Sequence, residues 1–291
     1  MSNSIPELFP GKHFISSVLE ALHTKSAMTR RMWRVYLMRA AMAGVIIGVM
    51  YLTYLAVLAS FSHLGPQFMP IGKLVGSAVF GFALVFIYYS KSELLTSNMM
   101  IVSIGLYYRK TSVLRAGWIL ALCLVGNLLG GFLVAGLLAG STLADGTIAP
   151  ILADTVATKL AYLDGGGAGI MDLFVRAILC NFMINLAMLL VYNGLVRDDF
   201  TKSLVMIVSV LIFAYVGFEH SVANAVLFGI SGLQTGIEVT AALANVGIVI
   251  LGNFLGGGVL IGLYYAYAND SDRHMRPSDR DLPKTPTPTL H

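Results

Sequence analysis

The sequence predicts an all-α membrane protein: six transmembrane helices in a 3+3 inverted repeat, with spans two and five broken. Three observations carry this. First, hydrophobic residues make up 57% of the 291 positions and charged residues only 12%. A soluble domain carries about 25% charge, so a soluble enzyme, a nucleic-acid-binding domain and a disordered chain are all excluded. Second, apolar runs recur at about residues 35–60, 74–107, 114–139, 171–193, 203–230 and 241–268, and a helical span needs about 20 such residues. Third, related strings recur at one fixed offset in the two halves.

The N-terminal segment, residues 1–34, is basic and amphipathic, with Lys12, Lys25, Arg30, Arg31 and Arg34. It lacks an early apolar run ending in small residues, so no cleaved signal peptide is expected. Residues 35–268 form the pore domain, with repeat one at about 35–140 and repeat two at about 170–268. The first, third, fourth and sixth runs have the length of one span. The second is too long for one span and is interrupted by Ser90-Lys91-Ser92-Glu93. The fifth is interrupted by Gly217-Phe218-Glu219-His220-Ser221. Both read as broken helices. The tail, 269–291, ends in Pro and Thr and is expected to be disordered.

Charge gives the topology. Arg109, Lys110 and Arg115 follow run two, Arg197 and Lys202 follow run four, and Arg273, Arg276, Arg280 and Lys284 lie in the tail. With the N-terminal segment, these are 14 of the 19 basic residues, all on one side of a six-span chain. The positive-inside rule places both termini in the cytoplasm of a protein of the inner membrane. The same rule accounts for the net charge of +4 without a nucleic-acid partner. Cys123 and Cys180 lie within apolar runs and read as packing residues, not a disulfide.

Gly126-Asn127-Leu128-Leu129-Gly130-Gly131 in run three matches Gly252-Asn253-Phe254-Leu255-Gly256-Gly257 in run six, at an offset of 252 − 126 = 126. The same offset aligns Glu93 with Glu219 and Asn98 with Asn224, so each break reads Glu-x-x-x-x-Asn. The copies are three spans apart, an odd number, and so have opposite orientations. Inverted repeats with interrupted helices at corresponding positions are a transport architecture. Unpaired backbone at membrane depth is tolerable only when buried in protein or lining a cavity, so the substrate site is expected where the two breaks meet. The glycine strings read as small-residue packing surfaces. No strand precedes them, so they are not nucleotide loops.

A charge inside the membrane is expensive, so Glu93 and Glu219 need partners. Lys25 and Lys159, one per half, are the candidates. Asn98 and Asn224 are read as pinning the broken ends. His220 is the one histidine inside a break, and its repeat counterpart is Leu94. Two readings of it stand: a hydrogen-bonded core residue, or a proton donor or anion ligand that titrates near physiological pH. One histidine does not make a b-type haem site, and no metal or other cofactor is expected. Phe80, Leu84 and Phe213 precede the breaks at helical spacing. Core packing is their default reading; lining a path, they would form apolar constrictions.

The strings Glu93-Leu94-Leu95-Thr96-Ser97-Asn98, Leu179-Cys180-Asn181, Gly217-Phe218-Glu219-His220-Ser221-Val222-Ala223-Asn224 and Gly252-Asn253-Phe254-Leu255-Gly256-Gly257-Gly258 resemble the formate–nitrite transporter family. The resemblance runs over nearly the whole chain. It implies an aquaporin-like protomer, a homopentamer with one pore per protomer, and passage of small monovalent anions: formate foremost, or nitrite, hydrosulfide or lactate. It implies that Thr96 faces His220, that Phe80 and Phe213 form one constriction, and that Leu84 and Leu94 contribute to the other. It implies Lys159 in an outer vestibule with Glu219 and Asn224, and Lys25 likewise with Glu93 and Asn98. Formate members often carry Phe where this chain has Leu95, which implies a wider or softer inner constriction. An aquaporin-type neutral-solute channel shares the architecture, but Asn-Pro-Ala is absent from both breaks.

Overall fold

The computed structural model describes residues 8–275. Arg276, Arg280, Lys284 and the other tail positions beyond Met275 lie outside the described residues, as do positions 1–7. Among the described residues there are helices and no strands. Six helical stretches are long and apolar enough to cross a bilayer: Trp33–Ser62, Pro66–Tyr89, Val113–Ala139, Gly166–Tyr192, Asp199–Val216 and Val239–Ala268.

The chain opens with α1 (Lys12–Arg31). Phe14, Ile15, Val18 and Leu22 recur on one face of it and are buried; Leu22 lies against Gly105, where any side chain would meet it. Next come α2 (Trp33–Ser62), α3 (Met69–Tyr89), a shorter α4 (Leu95–Tyr107) and α5 (Val113–Ala139). An additional helix, α6 (Ile148–Asp164), carries Lys159. The second set is α7 (Gly166–Tyr192), α8 (Asp199–Val216), a shorter α9 (Ser221–Gln234) and α10, which begins at Val239. Ser271–His274 forms one last helical turn.

Side-chain caps satisfy the orphan N–H groups at several starts. Ser112 accepts from Arg115 N at 3.3 Å, and Glu238 accepts from Ala241 N at 2.7 Å. Asp198 accepts from Thr201 N at 2.7 Å, and this bond holds its carboxyl below the usual range.

The glycine strings act at close crossings. A Cβ on Gly126 would meet Ala40, and one on Gly130 the Ala41 carbonyl. A Cβ on Gly252 would meet Ala177, and one on Gly256 the Ile178 carbonyl. The glycines thus let α5 sit down on α2, and α10 on α7.

The two matching helices then diverge. The stretch after Gly126 stays α-helical, whereas α10 passes at Phe254–Leu263 into a π-helix. Asn181 Nδ2 donates to the Asn253 carbonyl at 2.7 Å, and Gly257 lies against the Asn181 and Asn185 amides. A side chain bonded to a helix carbonyl competes with the regular i→i−4 ladder and widens the turn.

Candidate functional site

The site is built from two chain reversals. After α8, Gly217 takes the left-handed conformation at φ 87°, and Phe218 N donates back to Phe213 O at 2.8 Å. After α3, Lys91 takes the same conformation at φ 57°, and Ser92 N donates to Ile87 O at 3.0 Å. The two closures match residue for residue at the 126 offset. Gly217 adopts it without strain, while Lys91 has a side chain there and is strained by roughly 1 kcal/mol.

Each extended stretch that follows is held by one asparagine. Asn127 Nδ2 donates to the Ala40 and Glu93 carbonyls, both at 2.8 Å, and its Oδ1 accepts from Leu95 N at 3.0 Å. Asn253 repeats this with the Ala177 carbonyl at 2.8 Å, the Glu219 carbonyl at 3.0 Å and Ser221 N at 3.0 Å. Both asparagines are fully buried. Glu93 N and Glu219 N donate to the carbonyls of Arg39 and Arg176. The backbone groups exposed by leaving the helix thus find partners inside the protein.

The carboxylates are paired as well. Glu219 accepts from Lys159 Nζ at 2.7 Å and from Asn224 Nδ2 at 2.6 Å. Glu93 accepts from Lys25 Nζ and, at 3.2 Å, from Asn98 Nδ2. Asn98 adds Tyr36, and Asn224 adds Asn245. Each pair is largely withdrawn from solvent, so removing one partner would leave an uncompensated buried charge.

At the centre His220 caps α9: its Nδ1 accepts from Ala223 N at 3.1 Å. The neutral ring therefore carries its proton on Nε2, which lies 3.1 Å from Thr96 Oγ1. The ring stacks on Phe213, 6.2 Å between centroids, and Phe213 meets Phe80 edge-on at 6.5 Å. Asn181 and Asn185 both donate to the Thr96 carbonyl at 3.1 Å. Their counterparts on α2, 137 residues earlier as Arg39 is to Arg176, are Gly44 and Gly48.

Three cavities surround this centre. One of about 300 Å³ holds Lys159, Glu219, Asn224, Tyr51 and Tyr54 and reaches Phe80, Phe213 and His220. Another, of about 440 Å³, holds Lys25, Glu93 and Asn98 and reaches Leu84 and Leu94. Between them lies a cavity of about 20 Å³, lined by Phe80, Leu84, Leu94, Phe213 and His220 with neighbouring aliphatics. It shares Phe80, Phe213 and His220 with the first and Leu84 and Leu94 with the second. The three therefore stand in file, two polar chambers separated by an apolar one. Thr96 is buried beside the file through His220. Leu95 is buried too and lines none of the three cavities.

A family model described as formate/nitrite transporter matches residues 13–267. The chain belongs to the formate/nitrite transporter family. It is a multi-pass membrane transport protein and not an enzyme. A nitrite transporter, NirC of Escherichia coli (strain K12), is 32% identical over 233 residues, covering 79% of this chain and 81% of NirC. A solved FNT family ion channel superposes with a TM-score of 0.75 at 28% identity, covering 88% of this chain and 98% of that one. A pentameric formate channel with formate bound superposes at 0.64 with 22% identity, covering 81% and 97%.

Sequence reasoning did not assign the hydrogen-bonding roles of Asn127, Asn253 and Asn185. The first two sat inside glycine strings read as packing surfaces. The available signal was a polar amide repeated at the 126 offset within otherwise apolar helices, where an unpaired amide costs several kcal/mol.

Proposed function

We propose that this formate/nitrite transporter family member is a pore for small monovalent anions of weak acids, formate or nitrite, built as an inverted repeat with broken second and fifth spans. One observation carries the reading: two chambers holding buried Lys–Glu pairs are joined in file through an apolar neck at His220. The matched closures, asparagine clamps and Glu–Asn–Lys sets support the repeat. Each protomer carries its own file, and a pentamer follows from the resemblance and from the pentameric assembly of the formate channel that shares the fold. Both termini face the cytoplasm on the charge distribution.

The chemistry follows from the neck. A bare anion is attracted into a basic chamber but is expensive to carry between Phe80, Phe213, Leu84 and Leu94. A protonated acid crosses at far lower cost. Among the described residues, His220 is the one polar side chain lining the small cavity; its Nε2–H, now directed at Thr96, serves the passing acid. Because Nδ1 already accepts the Ala223 N–H, His220 acts as a hydrogen-bond donor, and the acid's own protonation sets the pH trend. Flux should then rise as pH falls, about tenfold per unit above the acid's pKa at most.

The test is uptake of formate, nitrite, hydrosulfide and lactate into proteoliposomes, with and without an inward proton gradient. His220→Asn, which keeps an N–H donor, should lower flux and retain the pH trend across about pH 5–8, the range in which His titrates. A flat profile in that variant would assign the proton to His220 and overturn the donor role. Water flux without acid flux would overturn the anion reading.

A further inference from the structure

The wall of the chamber that holds Lys159 and Glu219 contains a cation that the pairing scheme does not use. Lys73, near the start of α3, lines the 300 Å³ cavity together with Lys159 and Arg176. The other two are committed. Lys159 is bonded to Glu219 at 2.7 Å. Arg176 is bonded through Nε to Asp172 at 2.8 Å and through a terminal nitrogen to the Gly217 carbonyl at 3.0 Å. Lys73 makes no salt bridge or hydrogen bond among the described residues; its ammonium lies 5.8 Å from the Tyr215 ring centroid.

Lys73 also lines a second cavity, of about 600 Å³, walled by Tyr54, Leu58, Pro66, Met69, Pro70 and Tyr215. Tyr54 and Lys73 belong to both cavities. The ammonium therefore stands at the junction where the chamber continues outward, ahead of the Lys159–Glu219 pair. An ion-paired lysine presents little net field, because its partner cancels most of it at a distance. A lysine held only by an aromatic face keeps its charge and projects it into a cleft with low-dielectric walls, where the field is focused.

We propose that Lys73 is the capture residue for the substrate anion at this chamber: it binds the small carboxylate or oxyanion transiently and raises its local concentration at the neck, while Lys159 is a positioning residue for Glu219. The proposal rests on the pore reading above.

The experiment measures initial formate uptake against formate concentration in proteoliposomes, at ionic strengths of about 0.01 M and about 1 M, where the screening length falls from about 30 Å to about 3 Å. For Lys73→Gln the half-saturating concentration should rise about three- to tenfold at low salt, far more than the maximal rate falls, and should approach the wild-type value at high salt. Lys73→Arg should restore the low-salt value, and Lys73→Glu should exceed the Gln effect. A Gln variant that matches wild type at low salt overturns the proposal. So does a loss confined to the maximal rate and insensitive to salt, which would mark a structural role. Wild-type vesicles that carry neither formate nor nitrite would instead overturn the pore reading.

Discussion

The two chain reversals share a scaffold and differ in their chemistry. Both close in a left-handed turn, both are clamped by one buried asparagine, and both hold a glutamate between an asparagine and a lysine. At the next position one has Leu94 and the other His220. Around that difference the structure is asymmetric throughout: Thr96 faces the imidazole, and Asn181 and Asn185 reach the Thr96 carbonyl where α2 has only glycines. Two helix ends followed by extended stretches impose the same backbone accounting twice. On the proposed reading, an anion passing one neck needs only one polar donor. Symmetry therefore marks the scaffold, and its violation marks the proposed site.

The scaffold half of that comparison breaks hardest at the clamps. Asn253→Leu strands two carbonyls and one N–H, each costing about 1–3 kcal/mol when buried. The expected outcome is loss of folded protein, read as yield and monodispersity in detergent, and Asn127→Leu should behave alike. A well-folded variant of either would show that the clamps are dispensable.

Next comes the ion pair. Glu219→Gln leaves Lys159 buried without its counter-charge, a change worth about 3–5 kcal/mol. Thermal melting should fall accordingly, and Glu219→Gln with Lys159→Met should recover part of the loss. If Glu93→Gln costs as much, the two pairs are equivalent despite Lys25 residing on the separate helix α1.

His220→Leu makes the second reversal resemble the first. Folding should survive, because leucine occupies the matching position there, while acid flux should drop by about tenfold or more, about 1.4 kcal/mol in barrier. Retained flux would mean that the asymmetry carries no transport chemistry. The smallest effect runs the other way. Lys91→Gly gives the first reversal the residue found in the second and removes left-handed strain, so stability should rise by about 0.5–1 kcal/mol. A lower melting temperature would show that the Lys91 ammonium over Tyr88, 4.9 Å from its centroid, outweighs the strain.

Much of this was legible in the chain. Runs of about twenty apolar residues mark membrane helices because lipid offers the backbone no partners. Glu93 and Glu219 stand out because charge at that depth must be compensated. Related strings recur at one offset because the same local hydrogen-bonding problem is solved twice with the same residues. The helix Ile148–Asp164 was less visible: it is less apolar than the spans, and Lys159 in it read as a connecting segment. The clamps were hidden because an asparagine between glycines says nothing about which distant carbonyls it will meet.

Composition, apolar run length and the 126-residue register therefore determined the class, the span count and the candidate polar residues, since these follow from burial costs along a single helix. The tertiary structure decided which of the expected pairings form and which distant carbonyls the asparagines meet. Lys25 meets Glu93 across 68 residues and Thr96 meets His220 across 124. It also decided that three cavities fall in file and that Lys73 is left uncommitted. Hydrogen bonds and ion pairs act over a few ångströms, and which groups come that close is set by how helices far apart in sequence pack.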